Sequence, residues 1–127
     1  MGATTESLIR GVGPSHGQEA FLGALFESLA VQTVRVLAQA CEATMSHLRT
    51  QGGEHEVDMI VERQDHCVLP IEVKLSGVVR PADVGQLNWL ERQMPERVID
   101  KVLINTGSFA YRRSDGVAVV PLALLGP

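Results

Sequence analysis

The stretch Ile71-Glu72-Val73-Lys74-Leu75 alternates apolar and charged residues at the two-residue period of a strand. That puts Glu72 and Lys74 on one face, with Ile71, Val73 and Leu75 on the other. Asp58 lies in a similar run, Val57-Asp58-Met59-Ile60-Val61. A hairpin folded about Asp65 sets Asp58 opposite Glu72 and Glu56 opposite Lys74, and directly opposed residues have Cβ atoms about 4.5–5.5 Å apart. Pro70, which has no N–H for the ladder, predicts some irregularity or a bulge in that pairing. Two carboxylates so close repel, and one is driven to protonate unless a cation joins them. A hard divalent cation, Mg²⁺ or Mn²⁺, takes oxygen ligands, usually one or two carboxylates plus waters and a substrate phosphate. A lysine two residues beyond a ligand can hold the attacking water, while the metal offsets charge growing on phosphorus oxygens. The chemistry implied is phosphodiester hydrolysis. Lysine usage draws attention to the same place: the chain has nine arginines but only Lys74 and Lys101 as lysines.

The elements that must position these groups follow from periodicity. Residues 18–45 read as a helix with one apolar stripe of Leu22, Phe26, Leu29, Thr33, Val36/Leu37 and Ala40, in which Glu27 is the only ionisable residue between Ala20 and Val34. Short strands are expected at 46–50, 57–61 and 67–75, with Gln64-Asp65-His66 as the turn of the hairpin. Pro81 opens a helix that Pro95 closes, with Val84, Leu87, Leu90 and Met94 on one face. Further strands are expected at 98–105 and 117–121, separated by a loop over 106–116. The helix at 81–94 then acts as a crossover between parallel strands, a connection that is almost always right-handed. The expected fold class is α/β, a mixed sheet with helices on its faces. One domain over residues 18–127, preceded by a loose Gly/Ser/Thr-rich lead-in over 1–17, accounts for the 127 residues.

Charge and composition narrow the partners. The net charge is −4, and the window from Glu54 to Lys74 carries all of it, six acids against two bases. Such a balance argues against a free-standing electrostatic DNA binder and marks a cluster that needs solvation or a cation. No run approaches 18 uninterrupted apolar residues, so no membrane span is expected, and the start lacks the pattern of a secretory signal. Cys41 and Cys67 form no metal-type spacing and read as reduced thiols, so a cytoplasmic location is expected. The segment Gly11-Val12-Gly13-Pro14-Ser15-His16-Gly17 lacks the lysine and hydroxyl of a phosphate loop, and His16, His47, His55 and His66 lack a zinc-type partner.

The spacing of Asp58 and Glu72-Val73-Lys74 resembles the signature of PD-(D/E)XK nucleases, the restriction-endonuclease-like fold. The wider pattern is similar to one member family, the uncharacterised module found C-terminal to archaeal-type AAA ATPases. It is carried by Leu25-Phe26-Glu27, by Gly53 with Glu56-Val57-Asp58, by Pro70-Ile71-Glu72-Val73-Lys74-Leu75-Ser76, and by Val119-Val120-Pro121-Leu122, over roughly residues 20 to 125. The resemblance implies an αβββαβ core, Asp58, Glu72 and Glu27 as metal ligands, Lys74 as the catalytic lysine and DNA as substrate. It leaves Gln86 as a further candidate, from the glutamine some nuclease families carry in the helix after the lysine strand. Val57 stands where the nuclease signature has its proline, and no ATPase segment accompanies the module in this sequence.

Two other readings remain open from sequence: a non-catalytic module that docks on an ATPase partner or forms a homodimer, and structure-specific nucleic-acid binding without cleavage. Arg80, Arg112 and Arg113 are the side chains that could grip phosphates, although a solvated loop is the expectation for Arg112-Arg113 and helix packing for Trp89.

Overall fold

The computed structural model describes residues 16–125. Residues 1–15 of the expected lead-in lie outside them, and its last two residues, His16 and Gly17, belong instead to the first helix. Helix α1 (His16–Ala40) is followed by strands β1 (Thr44–Arg49), β2 (Glu56–Glu62) and β3 (Val68–Val73). A 3₁₀ turn (Pro81–Val84) leads into helix α2 (Gly85–Gln93), and β4 (Val102–Asn105), β5 (Tyr111–Arg112) and β6 (Ala118–Pro121) complete the chain. The six strands form one mixed sheet in the order β1-β2-β3-β4-β6-β5. β1, β2 and β3 run antiparallel, β3 pairs parallel with β4, and β4 parallel with β6. The architecture is α/β, as expected.

The core divides between the two faces. On the α2 side, Leu87 and Leu90 pack with Val57, Val68, Val84, Leu103 and Val119. On the α1 side, Ala30 and Val34 pack with Met59, Ile71 and Ile104. The expected stripe on α1 is corrected here. Ala30, Val34 and Ala38 are buried, whereas Leu29, Val36 and Leu37 are 48%, 64% and 45% exposed. Small side chains let the helix axis approach the sheet closely, which a row of leucines at the same positions would prevent. An 18-residue window within Gly17–Ala40 has mean hydropathy 1.4, so by length and composition alone this helix is also apolar enough to cross a bilayer.

The hairpin keeps the expected register, with Met59 opposite Ile71, Ile60 opposite Pro70 and Glu62 opposite Val68. Pro70 does not shift it. The irregularity falls instead between β1 and β2, where Ser46 faces Ile60 and Leu48 faces Val57, so His47 alone spans Asp58 and Met59. This bulge breaks the alternation. Val57 joins the core on the α2 side while Met59, two residues on, joins the core on the α1 side. The loop expected over 106–116 contains the short strand β5, which pairs antiparallel with β6.

Candidate functional site

Where β2 and β3 reach their bulged end, a cavity of about 420 Å³ is lined by Gly53, Glu54, Glu56, Asp58, Glu72, Val73, Lys74, Ala82, Asp83 and Gln86. Two glycines shape its outer wall. Gly52 and Gly53 hold φ of 87° and 76°, left-handed values that turn the chain so that Glu54 and Glu56 enter the lining.

The three side chains singled out by spacing share this cavity. Asp58 stands one step beyond the Met59–Ile71 pair, level with Glu72, and its Oδ2 accepts a 2.9 Å hydrogen bond from the Val73 backbone N–H. The carboxylate thus replaces a backbone ladder partner at the bulge, and Val73 holds it against the Glu72 strand. Glu72 is set deeper. Its Oε1 is buried and meets no hydrogen-bond partner. Burial first, then the adjoining Asp58 carboxyl and finally Glu56, push the Glu72 carboxyl up to about 9. Glu72 is therefore neutral at pH 7 when no cation stands beside it.

Lys74 does not pair with Glu56, the partner the hairpin geometry suggested. Its Nζ lies 3.5 Å from Oδ1 of Asp83, while Glu56 Oε1 lies 3.6 Å from Nε2 of His47. The reason is local. Beyond Val73 the chain leaves β2 and follows β4, with the Lys74 N–H bonded to the Ile104 carbonyl, so the lysine swings toward the turn that opens α2. Asp83 waits there because its Oδ2 accepts from the Arg80 N–H, 2.8 Å away, in an N-terminal capping arrangement. An acid three residues past a cap is a readable signal, and it is the one that could have found Asp83 from sequence.

Glu27 is placed differently. It is exposed on α1 and outside the cavity lining, yet near enough to feel it. Its carboxyl is raised by partial burial first and then by Asp58, with His47 opposing and Glu56 adding to the shift. Gln86 does reach the cavity, and its Oε1 lies 2.9 Å from Nδ1 of His55. That imidazole stacks on Trp89 with ring centroids 3.8 Å apart and planes 5° from parallel. Trp89 also packs against the core on the α2 side, as expected, but nothing in the spacing of residues 55, 86 and 89 predicts that the three meet.

Two of the three candidate phosphate-gripping arginines, Arg112 and Arg113, are occupied by ion pairs. Arg112 donates to both carboxylate oxygens of Asp100, at 2.8 and 3.2 Å, and to the Gly116 carbonyl, while Arg113 pairs with Asp115 at 3.3 Å. Lys101, the other lysine, is buried in a structural role, donating at 2.8 Å to Asn88 Oδ1, Glu91 Oε1 and the Asp115 carbonyl.

Among the described residues no three His, Cys, Asp or Glu side chains converge as a ready metal cage. What the cavity offers is a pair of hard carboxylates, Asp58 and Glu72, one with an unsatisfied buried oxygen. That donor set suits a Mg²⁺-sized ion completing its shell with water, for which one or two carboxylates suffice.

A comparison with known protein families matches residues 22–125 to a domain of unknown function, DUF4143. The chain belongs to the DUF4143 family. The match covers most of the 127 residues and spans every strand, so the cavity of this DUF4143 domain lies wholly within it. No curated protein and no solved structure matches the chain significantly.

Proposed function

We propose that this DUF4143 domain is a metal-dependent phosphodiesterase of the PD-(D/E)XK nuclease type, acting on DNA as the C-terminal module of an AAA-type ATPase. The observation that carries the reading is the buried, unpartnered Glu72 oxygen beside Asp58, in a cavity where Lys74 is the one basic side chain among the described lining residues. Asp58 and Glu72 would hold Mg²⁺ or Mn²⁺, with Glu27 acting from the edge. Bound there, the ion supplies the positive charge that offsets the phosphorus oxygens during attack. Lys74, tethered by Asp83, orients the attacking water at its Nζ. Gln86 contributes a neutral amide to the opposite wall.

The lining makes the cation obligatory on this reading. Glu54, Glu56, Asp58, Glu72 and Asp83 face one lysine, a field that repels a phosphodiester until carboxylate charge is neutralised. The test supplies Mn²⁺ with single-stranded, nicked and duplex DNA and compares wild type with Lys74→Ala. Cleavage by wild type that is lost in the variant and in chelator is expected. Equal cleavage by both proteins, or none by either, removes the proposal.

A second reading, an interaction module for an ATPase partner or another copy, draws support from α1. Phe21, Leu25, Leu29 and Val36 stand 65%, 39%, 48% and 64% exposed along that helix. Sedimentation that shows a strict monomer at high concentration would count against the self-associating form.

A further inference from the structure

We propose that His55 is a positioning residue, whose imidazole, clamped on Trp89, holds the Gln86 amide with its NH₂ group presented to a phosphate oxygen in the Asp58–Glu72–Lys74 cavity. The inference rests on the phosphodiesterase reading and adds to it a device outside the carboxylates and lysine.

His55 is fixed at both backbone and side chain. Its N–H donates to Thr50 Oγ1 at 3.0 Å, and its carbonyl accepts from the Thr50 N–H at 2.9 Å and the Thr50 hydroxyl at 3.2 Å. Its ring lies flat on Trp89, and Nδ1 meets Gln86 Oε1 at 2.9 Å. Glu54 and Glu56, on either side of His55, both line the cavity. The imidazole therefore staples the outer wall of the cavity to α2, which supplies the facing wall through Gln86.

The amide orientation follows from electrostatics. With Nδ1–H donating, Gln86 Oε1 is engaged and its Nε2 has no partner among the described residues. The flipped amide would spend its NH₂ on the imidazole and aim a carbonyl oxygen at the carboxyl groups of the cavity. Five such groups in the lining favour the donor end there. An amide donor beside a cation site recognises an anionic oxygen without adding charge. Its planar geometry means that pinning Oε1 also sets the direction of both N–H bonds.

The test uses the full chain with His55→Phe, which keeps an aromatic plane on Trp89 but removes the donor, with Gln86→Leu, and with the double variant. Two measurements are made: the kcat and KM of Mn²⁺-dependent DNA cleavage, and the Gln86 side-chain amide NMR signal during titration with inorganic phosphate in Ca²⁺. Each single variant should raise KM about tenfold, the loss of one hydrogen bond to a charged group, with the Mn²⁺-induced rise in Tm unchanged. The double variant should be no worse than Gln86→Leu alone. The Gln86 amide should shift with phosphate in wild type and stay still in His55→Phe. Wild-type KM in His55→Phe, or additive losses in the double variant, overturns the proposal. If wild type does not cut DNA, the phosphodiesterase reading fails by itself. The amide titration then decides the clamp: an absent shift in wild type, or an equal shift in His55→Phe, removes it.

Discussion

Replacing Glu72 by glutamine should make the protein more stable above neutral pH and flatten the dependence of its stability on pH. The folded state pushes the Glu72 carboxyl from 4.5 up to about 9. A raised value means the native protein keeps a proton that the unfolded chain gives up. This contribution is complete below pH 4.5 and is lost progressively as pH climbs through 9, at up to about 1.4 kcal/mol per unit. From pH 5 to pH 8 the ceiling is about 4 kcal/mol. Glu72 borders an open cavity, so water and counter-ions reduce that figure, and about 2 kcal/mol is expected. Glutamine mimics the protonated acid and does not titrate. Glu72→Gln should therefore match wild type near pH 5 and exceed it by about 2 kcal/mol at pH 8, measured by urea denaturation at half-unit intervals. For a chain of this size that difference corresponds to a Tm higher by about 5–10 °C. The reasoning fails if the two proteins differ by one constant amount at every pH, since a constant offset would come from packing and not from a proton.

Other expectations test the same structure at separate points. Wild type should gain Tm with increasing Mn²⁺ at pH 8 as RT ln(1 + [L]/Kd), and Asp58→Asn, which keeps an acceptor for the Val73 N–H, should lose that gain; thermal scans at several Mn²⁺ concentrations check it. Lys101→Met removes the donor to three acceptors in a buried setting and should cost about 3 kcal/mol in urea denaturation. Ala30→Leu should cost roughly 1–3 kcal/mol by lifting α1 from the sheet, whereas Leu29→Ser should change stability by under about 0.5 kcal/mol. The opposite ranking would restore the stripe read from sequence spacing.

The face of α1 shows why that ranking needed a structure. Between Ala20 and Ala40 the helix has only Glu27 and Arg35 as charged residues, so almost every face is apolar and periodicity cannot choose among them. Packing chose the small residues. β5 escaped notice for a related reason, since two residues, Tyr111 and Arg112, are too few to show a strand period and are held by pairing with β6. The hairpin was legible because its turn and its alternation both depend on neighbours in sequence, and Pro70 did not disturb it. The partner of Lys74 was not, because Asp83 reaches it from the next element.

Local order, carried by turn chemistry and the two-residue period, was therefore written in the chain: the α/β class, the strand hairpin about Asp65, and the meeting of Asp58 with Glu72. Folding in three dimensions decided the rest. It buried Glu72 with one carboxyl oxygen unpartnered, drew Lys74 to Asp83, left Glu27 at the margin of the cavity, and laid His55 on Trp89 against Gln86. Burial, charge and contact between distant elements depend on how the two helices settle on the sheet, and no spacing along the chain encodes that.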